Sequence, residues 1–213
     1  MLNITHASLS FGSQILCEQL DFTLNNGEIG MLMAPSGAGK STLLKWIAGL
    51  SVDGLNATGR IALNQCDVSD LPAEKRRIGF LFQQPYLFPH LNVAENISFG
   101  MPACPSASLA RREDKIASLL DAADMAGYEA RDPETLSGGQ QARIALLRVV
   151  ASAPQALLLD EPFASLDDVQ RERMLVLLSS YIAELDIPVL MVSHDPRDRN
   201  LSVPQPVRTL QLA

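Results

Sequence analysis

The chain of 213 residues is long enough for one domain with a sizeable hydrophobic core, or for a core that carries an insertion. Its net charge of −7 argues against a general nucleic-acid-binding surface, which would need a basic face. Cys17, Cys66 and Cys104 have no Cys-x-x-Cys spacing and are typical of inert thiols in a reducing compartment, and we expect neither a leader peptide nor a membrane-spanning run.

The predicted elements alternate between strands and helices at both ends of the chain. Residues 1–84 hold short apolar runs separated by turns, and residues 29–33 are the expected buried strand among them. Further along, prolines and alanines become frequent, and apolar residues recur at helical spacing over residues 109–123. From Ala156 onward strands and a helix alternate again. This order predicts a parallel α/β core with a helical insertion.

The stretch APSGAGKST, residues 34–42, lies between a predicted strand and a predicted helix, as a phosphate-binding loop requires. Gly37 and Gly39 allow the backbone to curl around an anion. The first N–H groups of the helix face that anion with the positive end of the helix dipole. Lys40 adds a charge for the outer phosphates, and Ser41 offers a hydroxyl to Mg²⁺.

The loop departs from the usual pattern at its first position, where Ala34 replaces a glycine. Because Ala34 ends the predicted strand, we expect a small side chain to suffice there. A glycine-rich turn that binds nothing is the alternative interpretation of this segment. The ordered string Gly-Lys-Ser-Thr between a strand and a helix argues against that alternative.

A second chemical signal is ALLLDEP, a continuous apolar strand from Ala156 that ends in two carboxylates. Ligands bind beyond the carboxyl ends of parallel strands, so Asp160 and Glu161 are expected beside the phosphate loop. Asp160 suits the coordination shell of Mg²⁺, and Glu161 suits the orientation or deprotonation of an attacking water. Taken alone, Glu161 could equally be a surface carboxylate that caps the following helix.

A third signal is LSGGQ, residues 136–140, which leads into a predicted helix. Ser137 is suited to cap that helix, and Gly138 and Gly139 expose backbone N–H groups at its start. The chain therefore holds a second potential anion-binding device. An ordinary capped helix explains the same residues equally well.

Taken in order along the chain, GKST, LSGGQ, LLLDEP and SHD resemble the ATP-binding cassette subunits of ABC transporters over almost the whole sequence. The resemblance implies an α/β fold of the P-loop NTPase type, with a RecA-like core, an N-terminal antiparallel β subdomain and an inserted α-helical subdomain. In a single ABC ATPase domain spanning 1–213, residues 1–84 and 145–213 would form the core with its β subdomain. Residues 85–144 would form the helical signature subdomain.

The resemblance also implies a role for individual residues around bound ATP and Mg²⁺. Glu161 is the implied catalytic carboxylate, His194 the implied γ-phosphate switch, and Gln83 the residue that senses Mg²⁺ and the attacking water. The implied Mg²⁺ ligands are Ser41, Gln83 and Asp160. The implied nucleotide-binding residues are the adenine platform Phe11, the loop residues Ser36, Gly37, Ala38, Gly39, Lys40, Ser41 and Thr42, the signature residues Ser137, Gly138, Gly139 and Gln140, and the dimer-facing Asp167.

Several partners follow from the same resemblance. Two cassettes pack head to tail, so that the signature residues of one copy close over the nucleotide of the second copy. The stretch QQPYLFPHLNVAENISFG is similar to importer cassettes for thiamine, ferric iron, sulfate or polyamines, and it implies docking of membrane permease subunits at Pro85 to Leu91. The resemblance also implies an extracytoplasmic solute-binding protein in the same system and no nucleic-acid partner. It implies a peripheral location on the cytoplasmic face of the inner membrane. Because only a short stretch follows His194, we expect no C-terminal regulatory domain, which favours a small thiamine-like or uncharacterised importer.

Three other functional classes compete with this interpretation. A cassette ATPase of DNA repair or translation would carry a paired cassette, a coiled-coil or zinc insertion, or a basic face. A nucleotide-dependent interaction module with little turnover would lack Glu161 or His194, and both are present. A P-loop kinase would have no use for LSGGQ.

Overall fold

The computed structural model describes residues 1–35, 37–103, 109–195, 197–198 and 207–211. Ser36 of the predicted phosphate loop and Cys104 lie outside these described residues. In chain order the elements are β1 (Leu2–Phe11), β2 (Gln14–Leu24), β3 (Ile29–Met33), α1 (Lys40–Ala48), β4 (Leu55–Leu63), β5 (Cys66–Asp67), α2 (Ala73–Arg76), β6 (Ile78–Leu81), α3 (Val93–Gly100), α4 (Leu109–Ala122), a 3₁₀ turn (Pro133–Thr135), α5 (Gly138–Ala151), β7 (Ala156–Asp160), α6 (Asp168–Leu185), β8 (Val189–Val192) and β9 (Arg208–Gln211).

The strands form two sheets that differ in direction. An antiparallel sheet has the order β2-β1-β4-β5, and a parallel sheet has the order β6-β7-β8-β3-β9. Strands β7 and β8 are buried along their whole length, since elements cover both faces of the parallel sheet. Strands from both ends of the chain enter this sheet, which confirms the α/β fold with an N-terminal antiparallel layer.

The two faces of the parallel sheet belong to different hydrophobic clusters. Because successive side chains of a strand point to opposite faces, Leu157 and Leu159 of β7 pack in a cluster with residues of α5 and α6. Leu158 packs instead with residues of α1 and of the antiparallel sheet. Helix α1 therefore shares one core with both sheets, and this packing holds its N-terminus beside the end of β3.

Helices dominate the middle of the chain, as the sequence predicts. The periodic segment at 109–123 contains α4, which buries Ile116, Leu119 and Leu120. Helices α3 and α5 approach closely, because a Cβ on Gly100 would lie only 2.0 Å from the carbonyl oxygen of Arg148. Helix α5 continues without a break past residue 144, so a subdomain boundary placed there would fall inside a helix. Among the described residues, no helix combines the length and apolarity needed to cross a membrane.

Candidate functional site

The predicted phosphate loop joins the end of β3 to the start of α1. Gly37 and Gly39 adopt φ angles of 83° and 84°, in the left-handed region that favours glycine, and Gly39, the N-cap residue of α1, makes no side-chain cap. The Lys40 side chain folds back over the loop, where Nζ donates to the carbonyl oxygens of Ala34 at 2.6 Å and Pro35 at 2.8 Å. The loop thus places the N–H groups at the start of α1 beside a held cation, which is the chemistry that an anion requires.

A cavity of about 360 Å³ opens above this loop. Its lining comprises Phe11, Gln14, Leu16, Gly37, Gly39, Lys40, Ser41, Thr42 and Glu161. Phe11 ends β1, so the antiparallel sheet supplies an aromatic ring beside the anion site, as an adenine nucleotide would need. Sequence reasoning missed Gln14, although Gln14 pairs with Phe11 across the β1–β2 turn and a predicted hairpin would have indicated it.

Ser41 and Asp160 form a pair of oxygen groups at the edge of the parallel sheet. The Ser41 hydroxyl donates to Oδ1 of Asp160 at 2.7 Å. Burial raises the pKa of Asp160, and the hydrogen bond from Ser41 opposes that shift. Mg²⁺ usually takes one or two protein oxygens and completes its shell with water and phosphate oxygens. The pair fits such a site, and no cluster of three or more metal-binding side chains occurs within the described ranges.

Glu161 meets two polar side chains that are distant in sequence. Its Oε2 lies 3.4 Å from Nε2 of Gln83 and 3.3 Å from Nδ1 of His194. The reason is the strand order, because Gln83, Glu161 and His194 follow β6, β7 and β8, which are neighbours in the parallel sheet. The Glu161 backbone has a φ of 46°, and its N–H donates to the carbonyl of Val192 at 3.0 Å. The three residues implied for catalysis are therefore brought together at one carboxylate oxygen.

Asp167 and Ser137 each cap a helix. Oδ1 of Asp167 accepts from the N–H of Gln170 at 2.8 Å, so α6 is capped by Asp167 and the alternative that Glu161 caps it is wrong. Ser137 caps α5 and forms a reciprocal capping box with Gln140. Within the described residues, neither helix start contributes to the lining of the cavity above the phosphate loop.

The two signature glycines have different surroundings. A Cβ on Gly138 would meet nothing within 4 Å, so the backbone there is open to an incoming group. A Cβ on Gly139 would lie 2.6 Å from Oε1 of Gln170, so α5 packs closely on α6 at this point. The start of α5 thus presents accessible backbone next to a tightly packed helix pair.

An aromatic surface is defined by Tyr86 and Phe88 of the connector after Gln83 and by Phe99 of α3; the Phe88 ring is half-buried. Tyr86 is 61% exposed and Phe99 is 66% exposed, and the rings of Phe88 and Phe99 lie 4.6 Å apart. Leu87 and Leu91 are half-buried, and Leu87 packs against the larger hydrophobic cluster. Of the four apolar residues of the connector, Tyr86 is exposed, and Leu87, Phe88 and Leu91 are half-buried.

Arg148 of α5 ties that connector to the helix that begins at the signature segment. Its guanidinium donates to the carbonyl oxygens of Tyr86 at 2.9 Å and Pro85 at 3.0 Å, and it lies 5.3 Å from the Phe88 ring. Burial lowers the pKa of Arg148. Sequence reasoning missed this residue, although an arginine inside the apolar run ALLRVV indicates a cation that needs a buried partner.

Comparisons with known proteins agree with these observations. A family model described as ABC transporter matches residues 17–164. The Uncharacterized ABC transporter ATP-binding protein YnjD of Escherichia coli is 39% identical, over 93% of this chain and 90% of its own length. The Fe(3+) ions import ATP-binding protein FbpC of Streptomyces coelicolor is 40% identical over 92% of this chain, which spans only 55% of that relative. A solved dimer of the ATP-binding cassette MJ0796, in a post-hydrolysis state bound to ADP and Pi, is similar with a TM-score of 0.77 and 29% identity, covering 93% of this chain and 90% of that one.

Proposed function

The chain belongs to the ABC transporter family, and we propose that it is the ATP-binding and ATP-hydrolysing subunit that drives a solute importer. It would work as a homodimer, bound to membrane permease subunits at the cytoplasmic face of the inner membrane, in a system with an extracytoplasmic solute-binding protein. The import function is supported by the name of the ferric ion relative. The dimer is supported by the post-hydrolysis structure of the similar cassette.

One observation carries the ATPase proposal: Glu161 lines the cavity above the phosphate loop and also contacts Gln83 and His194. Phe11 would stack on adenine, while Lys40 and the loop N–H groups would hold the phosphates. The Glu161 carboxylate would accept a proton from the attacking water.

Ser41, Asp160 and Gln83 would hold Mg²⁺. The hydrogen-bonded oxygen pair of Ser41 and Asp160 supports this assignment. Bound Mg²⁺ would supply neutralisation of the charge on the outer phosphates. His194 and Gln83 would orient the reacting groups, since both lie within 3.4 Å of the Glu161 carboxylate.

The signature residues would act on the nucleotide of a second copy. Ser137, Gly138, Gly139 and Gln140 are outside the cavity of their own chain, yet Gly138 presents open backbone at a helix start. Asp167 would face the same interface. A shared site of this kind explains why one chain carries two anion-binding devices.

Glu161→Gln tests the shared site, because the amide keeps the shape of the carboxylate and cannot accept the proton. We expect ATP turnover to fall by about 10²–10⁴-fold while MgATP still binds. Because unhydrolysed ATP then stays between two copies, the variant should elute as a dimer with MgATP and as a monomer without nucleotide. Lys40→Ala is the control and should bind MgATP poorly. A Glu161→Gln variant that stays monomeric at saturating MgATP would contradict the shared site.

We propose that the aromatic surface of Tyr86, Phe88 and Phe99 binds the permease subunits. Exposed aromatic clusters typically mark partner sites, and Arg148 links this surface to α5. Tyr86→Glu should abolish co-purification with co-expressed permease subunits and leave ATP turnover of the isolated subunit within about twofold. Val176→Glu, at a site on α6 that is 67% exposed, is the matched control and should co-purify fully. Full co-purification of Tyr86→Glu with normal uptake would reject this surface.

A further inference from the structure

His194 is mostly exposed. It follows the end of β8, its side chain is 59% exposed, and its Nδ1 lies 3.3 Å from the Glu161 carboxylate. The position of an exposed side chain depends on the backbone on either side. The preceding residue, Ser193, is only 2% exposed, so the neighbours of His194 are the fixed points of this segment.

Arg171 of α6 reaches both sides of His194. One guanidinium nitrogen, Nη1, donates to Oδ2 of Asp195 at 3.0 Å, and Nη2 donates to Oδ1 of Asp198. The second oxygen of Asp198 accepts from the hydroxyl of Ser193, and that hydroxyl also accepts from the N–H of Asp195 at 3.0 Å. The planar fork of Arg171 therefore joins Asp195 directly and Ser193 through Asp198, while the exposed Arg197 also donates to Asp195, with Nη2 at 2.7 Å from Oδ2.

The network depends on the positive charge and on the shape of Arg171. The Asp198 side chain is 4% exposed, and burial raises its pKa, while Ser193 and Arg171 act in the opposite direction. Without Arg171, Asp198 would become protonated or turn toward water, because an unpaired buried carboxylate is costly. Lysine would keep the charge, but an ammonium cannot bridge two carboxylates in the geometry of a planar fork.

The clamp, formed by Arg171, Ser193, Asp195 and Asp198, borders the proposed hydrolysis site. A second cavity, of about 190 Å³, has Glu161, His194, Arg171 and Asp195 in its lining. A shift of the clamped segment would therefore alter the distance between His194 and Glu161 without a change in the phosphate loop.

We propose that Arg171 is a positioning residue for His194, which it holds against Glu161 through Ser193, Asp195 and Asp198. This inference rests on the proposed ATPase function. It assigns Arg171 an effect on turnover that acts through His194 alone, and no effect on nucleotide binding.

Arg171→Lys tests the proposal without removing the buried charge. We expect kcat for ATP to fall by about 10–100-fold, since small misplacements of catalytic groups have effects of this size, while KM changes by less than about threefold. Asp198→Asn should lower kcat similarly. Arg173→Lys, at an exposed position on the same helix, is the matched control and should keep kcat within about twofold. An unchanged kcat in Arg171→Lys overturns the proposal.

A double-mutant cycle separates positioning from a structural effect. In single-turnover assays with excess enzyme, Arg171→Lys should lower the rate by less than about twofold when His194 is already alanine. The same 10–100-fold loss in that background would overturn the proposal, because Arg171 would then act independently of His194. If His194→Ala is too slow to measure, the cycle combines Arg171→Lys with Asp198→Asn. Additive losses of rate in that double variant would overturn the proposal. Equal turnover in wild type and Lys40→Ala would refute the proposed function instead.

Discussion

Arg76 holds the C-terminal end of the helix that starts at the phosphate loop, and Arg76→Met is expected to destabilise the protein strongly. The side chain extends from α2 and is buried, and its guanidinium donates to four backbone oxygens. Nη1 donates to Trp46 at 3.0 Å and to Ile47 at 2.9 Å, in the last turn of α1. Nε donates to Leu71 at 2.7 Å and Nη2 donates to Ser69 at 2.6 Å. The cation therefore supplies a donor to the Ile47 carbonyl at the end of the helix, and it supplies a second donor to the Trp46 carbonyl, which also accepts from the N–H of Gly49.

The size of the effect follows from these four contacts. A hydrogen bond to a charged group contributes about 1.5–3 kcal/mol, so the contacts together would contribute about 6–12 kcal/mol. The burial of the guanidinium, which lowers the pKa of Arg76, offsets part of this sum. Methionine fills a similar volume but removes the donors from all four of these hydrogen bonds. We therefore expect a loss of about 3–5 kcal/mol in the free energy of unfolding, since each buried acceptor that loses its donor costs about 1–3 kcal/mol.

Urea denaturation followed by circular dichroism measures this loss. Arg77→Met is the matched control, because Arg77 is the next residue, is exposed, and carries the same side chain. The control should change the free energy of unfolding by less than about 0.5 kcal/mol. If Arg76→Met lost no more stability than the control, the end of α1 would not depend on the guanidinium, and the reasoning would be refuted.

Two further predictions concern single side chains. Ala34→Gly should change MgATP affinity by less than about tenfold in equilibrium titration, because Ala34 contacts Lys40 through its backbone carbonyl, which glycine retains. A larger gain would show that the wild-type loop is strained. Asp67 accepts hydrogen bonds from the hydroxyl and N–H of Ser69 and from Arg60, which lower its pKa to about 2. Because the folded-state pKa is depressed, ionised Asp67 stabilises the protein above about pH 4, and this contribution is lost as the pH falls toward 2. The difference in urea midpoint between wild type and Asp67→Asn should therefore shrink from pH 5 to pH 2, and a constant difference would contradict this assignment.

The sequence alone determined the features that depend on a few neighbouring residues. Strand β3, the phosphate loop and α1 were predicted because a buried strand, paired glycines and a helix start are local patterns. The Ser137 cap of α5 was predicted for the same reason, since capping chemistry spans only three residues. The position of the two carboxylates at the end of β7 was also predicted, because a continuous apolar run indicates where a parallel strand stops.

Only the tertiary structure decided which distant residues meet. The family resemblance implied that Gln83, Glu161 and His194 share one site, but no local pattern predicts their contacts, which depend on the adjacency of β6, β7 and β8 in the sheet. The same holds for Arg171, whose polar sequence neighbours conceal that its guanidinium is buried against the segment after β8. A buried guanidinium needs carboxylate partners because water cannot solvate it, and its burial depends on contacts between elements far apart in the chain.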